Sequence, residues 1–317
     1  MWRYALMRIA SAIPVILLVT LISFGLMLLI PGDPALVIAG PSATAAEIES
    51  VRVQLGLDRP VLQRMLAWYA GLLQGDLGRS LLLGRSVGQA IWERVPVSLS
   101  LALLALAITI VLGVLAGVIA AVRQNTWVDQ AAMTFAMLGV SLPNFWLALL
   151  FIFFFAVHLG WFPTGGYVPL SEDPLGWLRS LILPAVSLAL MQIGLLARIT
   201  RSSMLEVLRQ DYIRTARAKG LPFHAVVGRH ALRNVLIPLV TVIGITVSLM
   251  ISGTVVIETV YSLPGIGRLI VSAILQRDYP VIQGGLLLTA VLLVVINLVV
   301  DLLYAWLDPR IRYGGRR

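Results

Sequence analysis

A chain of 317 residues that is 59% hydrophobic and only 12% charged carries too little polar surface for a water-soluble protein of this size. Its formal charge of +9 would suit nucleic acid, but the cations gather in the segments at one end of the apolar runs, so nucleic acid is not an expected partner. No cysteine is present, which excludes disulfides, thiolate catalysis and cysteine metal sites; the scattered His158, His224 and His230 make no zinc spacing.

The first apolar run, 9–30, follows Arg3 and Arg8. It is longer than the roughly 7–15-residue core of a cleaved signal, so it reads as a retained anchor. Residues 31–95 form the longest polar stretch, opening on a rigid turn, Pro31-Gly32-Asp33-Pro34, that ends the first helix. Within it 43–55 and 61–73 read as short amphipathic helices, with Pro60 suited to begin the second. Further spans follow at 96–122, 131–157, 180–198, 235–257 and 281–307, each near or above the roughly 20 residues that cross a bilayer. Pro143 and Pro184 are placed to kink two of them. Strand alternation is absent, which argues against a barrel. The expected fold class is an all-α polytopic membrane protein with six transmembrane helices: an N-terminal span (1–30), an outer segment (31–95) and a five-span core (96–317) carrying the loop 199–234.

An even number of spans places both termini on one side. That side also receives Arg123 and the loop from Arg198 to Arg233, so it holds 15 of the 24 cations against Asp129, Glu206, Asp211 and Asp308. By the positive-inside rule it is cytoplasmic.

A phosphate-cradling loop needs Gly-x-x-x-x-Gly-Lys-Ser/Thr, and the only lysine, Lys219, is followed by Gly220. The chain therefore has no P-loop. Asp301 is the only acid well within a span and lies toward its cytoplasmic end; it reads as a structural or interfacial residue ahead of a proton or ion site. Gly113 and Gly117, with Ala121, mark a close helix contact; Gly244, Ser248 and Ser252 share a second small-residue face. Asn144, Gln192, Ser248 and Ser252 are polar within spans. They read either as interhelical packing and hydrogen-bonding residues or as the lining of a pathway. No paired nucleophile and base or metal cluster is visible within the spans.

The segment from Asp211 to Pro222 is unlike a plain connector. Asp211 is placed to cap a helix, Tyr212, Ile213, Arg214, Thr215, Ala216, Arg217 and Ala218 form it, and Lys219, Gly220 and Pro222 stop it. Its alanines and Thr215 would let another protein approach closely. We read it as a docking knob for a soluble partner.

These residues resemble a known family. Tyr212 to Gly220, followed by His230-Ala-Leu-Arg-Asn-Val-Leu-Ile-Pro238, is similar to the cytoplasmic loop of binding-protein-dependent ABC importer permeases of the peptide/nickel group. Pro31-Gly-Asp-Pro-Ala35, Leu55-Gly-Leu-Asp-Arg-Pro60, Gly75-Asp-Leu-Gly-Arg-Ser80, Tyr261-Ser-Leu-Pro-Gly-Ile-Gly-Arg268, Arg277-Asp-Tyr-Pro-Val-Ile-Gln283 and Leu307-Asp-Pro-Arg-Ile-Arg312 extend the resemblance along the chain, to the first permease of the pair. Arg214, Thr215 and Ala216 stand where the general family has Glu-Ala-Ala, which removes any salt bridge resting on an acid at 214. The resemblance implies a type I (MetI-like) permease fold with residues 211–220 as coupling helix. It implies a second homologous permease, two cytoplasmic ABC ATPase subunits that carry the ATP and Mg, and an extracytoplasmic solute-binding protein, with no cofactor on this chain. It places the chain in a bacterial or archaeal inner membrane among lipid, importing di- or oligopeptides, or else glutathione or nickel chelates. The rival of another class is a stand-alone secondary transporter or channel.

Overall fold

The computed structural model describes residues 2–29 and 33–307, with side chains over 10–25, 33–236 and 238–300. The turn expected at Pro31-Gly32, the Asp301 side chain and the terminal arginines lie outside the described residues. In chain order the elements are α1 (Trp2–Leu29), α2 (Pro34–Ala39), α3 (Ala45–Gln54), α4 (Val61–Leu73), the strands β1 (Arg79–Ser80) and β2 (Arg85–Ser86), then α5 (Val87–Trp92), α6 (Val95–Val122), α7 (Trp127–Ser141), α8 (Asn144–Phe151), α9 (Pro174–Leu208), α10 (Asp211–Ala218), α11 (Phe223–Ala225), α12 (Leu232–Val260), α13 (Ile266–Gln276) and α14 (Tyr279–Leu307). Two wide π-helical stretches, Ile152–His158 and Val226–Ala231, continue α8 and lead into α12.

The expected spans fall on α1, α6, α7 with α8, α9, α12 and α14. Among the described residues four helices are long and apolar enough to cross a membrane, or five if the bent pair α7–α8 is one span. That pair turns by 104°. Pro143 explains the break: it pushes Leu142 into extended backbone (φ −101°, ψ 134°), so the helix ends before it. Pro184, by contrast, lies inside α9, an unbroken helix of 35 residues.

The chain divides into two compact units. One contains 99–263 with the chain ends. Here α9 is the most enclosed of the spans, and helices close on it through backbone too near for a side chain. A Cβ on Gly117 of α6 would lie 2.5 Å from the Ala197 carbonyl, and one on Gly194 of α9 would lie 2.1 Å from the Ala136 carbonyl of α7. Lipid tails are as apolar as leucine, so such close packing, rather than escape from water, holds spans together. Gly113 meets Leu196 of α9, and Gly244 meets Val300 of α14. The small-residue faces legible in the sequence are thus packing faces at these glycines. Tyr261 closes the end of α12: its buried hydroxyl hydrogen-bonds Ser187 of α9 at 3.0 Å and donates to the Ala148 carbonyl of α8 at 3.3 Å.

The other unit contains 7–98 and 264–294. Asp33 caps α2 and pairs with Arg52 of α3, while Thr44 and Glu47 form a reciprocal cap at the start of α3. No residue of α3 or α4, the two helices expected to be amphipathic, is fully buried. Phe24 of α1 packs edge-on against Trp68 of α4, centroids 5.6 Å apart. A second cluster joins Val87 and Ile91 of α5 to Leu269 and Ala273 of α13 and Val281 and Ile282 of α14. Ser80 of the hairpin donates to the Asp278 carboxylate, both buried, and burial pushes that carboxyl above its ordinary range.

Candidate functional site

The helix α10 is a short rod with two unlike faces. Ile213 is 0% exposed and Ala216 7%. Both enter a cluster built from Ala121 of α6, Leu196 and Met204 of α9, Val226 and Ala231 of the π-helical stretch, and Val235, Leu239 and Val242 of α12. Asp211, Tyr212, Arg214, Thr215, Arg217, Ala218, Lys219 and Gly220 are exposed. The three-residue spacing from Ile213 to Ala216 puts both on one helix face, and that face is the seat.

Two details differ from the sequence reading. Asp211 does not cap: Gln210 occupies the cap position without a side-chain bond, and Asp211, at the first helical position, forms a 3.3 Å ion pair with Arg214. That pair is highly exposed and contributes little to stability. Ala216 faces the chain's own core, so of the small residues only Thr215 and Ala218 remain on the open face. The helix stop is as expected. Gly220 takes a left-handed backbone (φ +78°) and its N–H donates to the Arg217 carbonyl at 2.9 Å, while Leu221 N–H donates to the Ala216 carbonyl at 3.3 Å. Those two bonds are a Schellman motif, which fixes where the chain leaves the rod. Asn234 Nδ2 donates to Tyr212 Oη at 2.8 Å and ties the start of the rod to α12.

The seat is braced by a pair that sequence reasoning missed. Arg201 of α9 donates from Nε and Nη2 to the two carboxylate oxygens of Asp129 on α7, at 2.6 and 2.7 Å. The Asn125 N–H donates to the same carboxylate at 3.0 Å. Such a two-pronged contact fixes orientation as well as distance. Its signal in the sequence was a lone acid at the mouth of an apolar run facing a bank of arginines. Glu258 was also missed. It lies inside α12, fully buried, because that helix runs three residues past the expected end of its span.

The four polar span residues do not form one cluster. Asn144 opens α8 just after the break, and its amide lies 3.7 Å from where a Cβ on Gly253 of α12 would sit. Gln192 is 4% exposed on α9. The buried oxygens Oδ1 of Asn144 and Oε1 of Gln192 have no hydrogen-bond partner. Ser248 donates back to the Gly244 carbonyl at 3.3 Å, and Ser252 is exposed on α12. None of the described hydrogen bonds joins any two of the four. No group of three or more metal-ligating side chains occurs among the described residues.

Comparison with known proteins covers nearly the whole chain. Residues 113–313 match the family model described as binding-protein-dependent transport system inner membrane component, and residues 1–102 match the model of its N-terminal part. A putative peptide transport system permease of Brucella abortus is 56% identical over 308 residues, 97% of this chain and 98% of its own. A glutathione transport system permease of Escherichia coli O6:H1 is 42% identical over 313 residues, 99% of this chain and all of its own. A structure of the MetNI methionine ABC transporter in an inward-facing conformation superposes with a TM-score of 0.58 at 19% identity, over 68% of this chain and 95% of that one.

Proposed function

Because the chain belongs to the family of binding-protein-dependent transport system inner membrane components, we propose that it forms half of an ATP-driven import pathway for di- and oligopeptides, with α10 as its coupling helix. The observation that carries the reading is the division of α10 into a face sunk in its own chain and an open basic face. A helix that served only to hold lipid headgroups would need no seat that includes side chains of α6, α9 and α12.

In this reading two cytoplasmic ATPase subunits bind ATP and Mg and dock on α10 and on its counterpart in a second, homologous permease. The chain spans the inner membrane with both termini cytoplasmic, and segment 31–95 meets an extracytoplasmic solute-binding protein. Closure of the ATPases moves the seated rod, and the helices that hold it move too, so the pathway alternates between two states biased by a ligand on another subunit. Asn144 and Gln192, with unpartnered buried oxygens, are the favoured pathway residues; Ser248 and Ser252 follow. Peptides are favoured over glutathione because the relative named for peptides is 56% identical and the one named for glutathione 42%.

The natural chain has no cysteine, which makes a direct test simple. In the assembled importer, Thr215→Cys should cross-link to a thiol placed in the ATPase docking groove, with a yield that changes on adding ATP. Ala216→Cys, turned inward, should not. Absence of the Thr215 cross-link in every nucleotide state would remove the docking assignment. Ion-gradient-driven uptake by the purified chain alone would favour the stand-alone transporter.

A further inference from the structure

A second site lies in the unit formed by 7–98 and 264–294, and nothing in the reading of α10 depends on it. A cavity of about 320 Å³ opens between α1, α4, the loop after α3 and the start of α14. That size is at the lower end of small-molecule sites and suits a ligand no larger than one aromatic amino acid. Phe24 and Trp68 make an apolar wall, their rings edge to face.

Besides the amides of Gln54 and Gln283, the polar side chains that line the cavity are all donors or cations. Trp68 Nε1 and Tyr279 Oη are buried and have no hydrogen-bond partner, although both residues line the cavity. Tyr279 is 4% exposed, so its hydroxyl has been taken out of water without compensation from the protein. Arg64 also lines the cavity and is half-buried. Burial holds its guanidinium below the usual arginine range. Arg59 stands exposed at the rim. No aspartate or glutamate lines the cavity, and Asp33, the acid that acts on Tyr279, is already paired with Arg52. An indole N–H, a phenol O–H and two guanidinium groups can all donate, and their side chains line the same cavity as Phe24.

We propose that this cavity binds an oxyanion carrying an apolar group, the anion received by Arg64, Trp68 Nε1 and Tyr279 Oη and the apolar part by Phe24 and the Trp68 ring. Carboxylate and phosphate share this chemistry; the first would arrive as a free small acid, the second as a lipid headgroup.

The test uses the full chain in phosphatidylcholine nanodiscs, titrated calorimetrically with 3-phenylpropanoate and with its neutral amide. The acid should bind at least tenfold more tightly than the amide. Arg64→Gln and Tyr279→Phe should each weaken the acid by about tenfold, the usual effect of losing one hydrogen bond to a charged group. Tyr279→Phe keeps the packed ring, so it tests the hydroxyl even if Arg64→Gln disturbs the fold. In a second arm, phosphatidylglycerol is added to the discs. Displacement of the acid from wild-type but not Arg64→Gln discs assigns the site to lipid phosphate, and undiminished binding assigns it to a soluble carboxylate; each supports an oxyanion site. Equal affinity for acid and amide, wild-type affinity in both variants, or no binding of the acid together with no effect of phosphatidylglycerol would overturn the proposal.

Discussion

Truncating Ile213 to alanine separates the seat of α10 from its open face. Three carbons leave a fully buried position. At about 0.8 kcal/mol per buried methylene they remove roughly 2.4 kcal/mol, and an incompletely closed cavity brings the loss to about 3 kcal/mol. The remaining buried side chain of the rod, Ala216, is too small to compensate, so most of this loss should fall on the opening of α10 rather than on global unfolding. A shift of about 3 kcal/mol raises the open fraction by roughly 100-fold. Hydrogen exchange of residues 213–221 should therefore lose about two orders of magnitude of protection, while α9 and α12 keep theirs. Arg217→Ala, on the exposed face, should leave exchange unchanged and reduce ATPase stimulation in the assembled complex. Unchanged protection in Ile213→Ala would mean that the rod is not held by its buried face and cannot pass a push on to α9 and α12.

Gly220→Ala meets open space but must adopt φ +78°, so it should loosen the helix stop by about 1 kcal/mol, with Gly220→Asn milder; amide exchange at Gly220 and Leu221 reads the difference. Gly117→Val drives a side chain into the Ala197 carbonyl and Thr200, and should lower the melting temperature by several degrees; a wild-type melt would contradict the packing described. Asp129→Ala leaves a partly buried Arg201 unpaired and should destabilise by about 1–2 kcal/mol after allowance for its exposure, with recovery in Asp129→Leu combined with Arg201→Met; calorimetric melts of the variants decide this. Asp278 has a raised folded pKa, so the folded chain holds its proton more tightly than the unfolded one. Stability from this group is complete below about pH 4 and declines as pH rises through the raised value, and Asp278→Asn should flatten that slope in a melting series across pH.

Much of this architecture is legible in residue order because lipid imposes a simple grammar. Apolar length gave the helices, and arginine placement set apart the loop that contains α10. Gly220 with Pro222 gave the helix stop. What stayed hidden depends on three dimensions. The inward turn of Ala216 follows from packing against Leu196 and Val235, and no local pattern in Thr215-Ala216-Arg217 announces it. Asp129 and Arg201 are 72 residues apart and meet only because α7 closes on α9 through Gly194. The cavity beside Trp68 needs α1, α4 and α14 together. Pro143 was legible as a kink, but its 104° turn was not, since the angle depends on what the second half of the broken helix packs against.

How motion would pass from the loop into the spans follows from how α10 is held. The rod is eight residues long and leaves one Ile and one Ala inside the chain, enough to hold it but far too little to fold it alone. Its order is therefore borrowed from α9 and α12, which supply Leu196, Met204, Val235 and Leu239. A rod that borrows its order cannot move independently of its hosts without exposing Ile213, which would cost about 3 kcal/mol by the reckoning above. Below that cost, a push on Arg214, Thr215 or Arg217 must be carried by the hosts themselves. Of these, α9 also holds α7 through Arg201 and Asp129 and meets α6 at Gly117, so displacement of a short surface helix has a continuous, closely packed route into the membrane-spanning bundle.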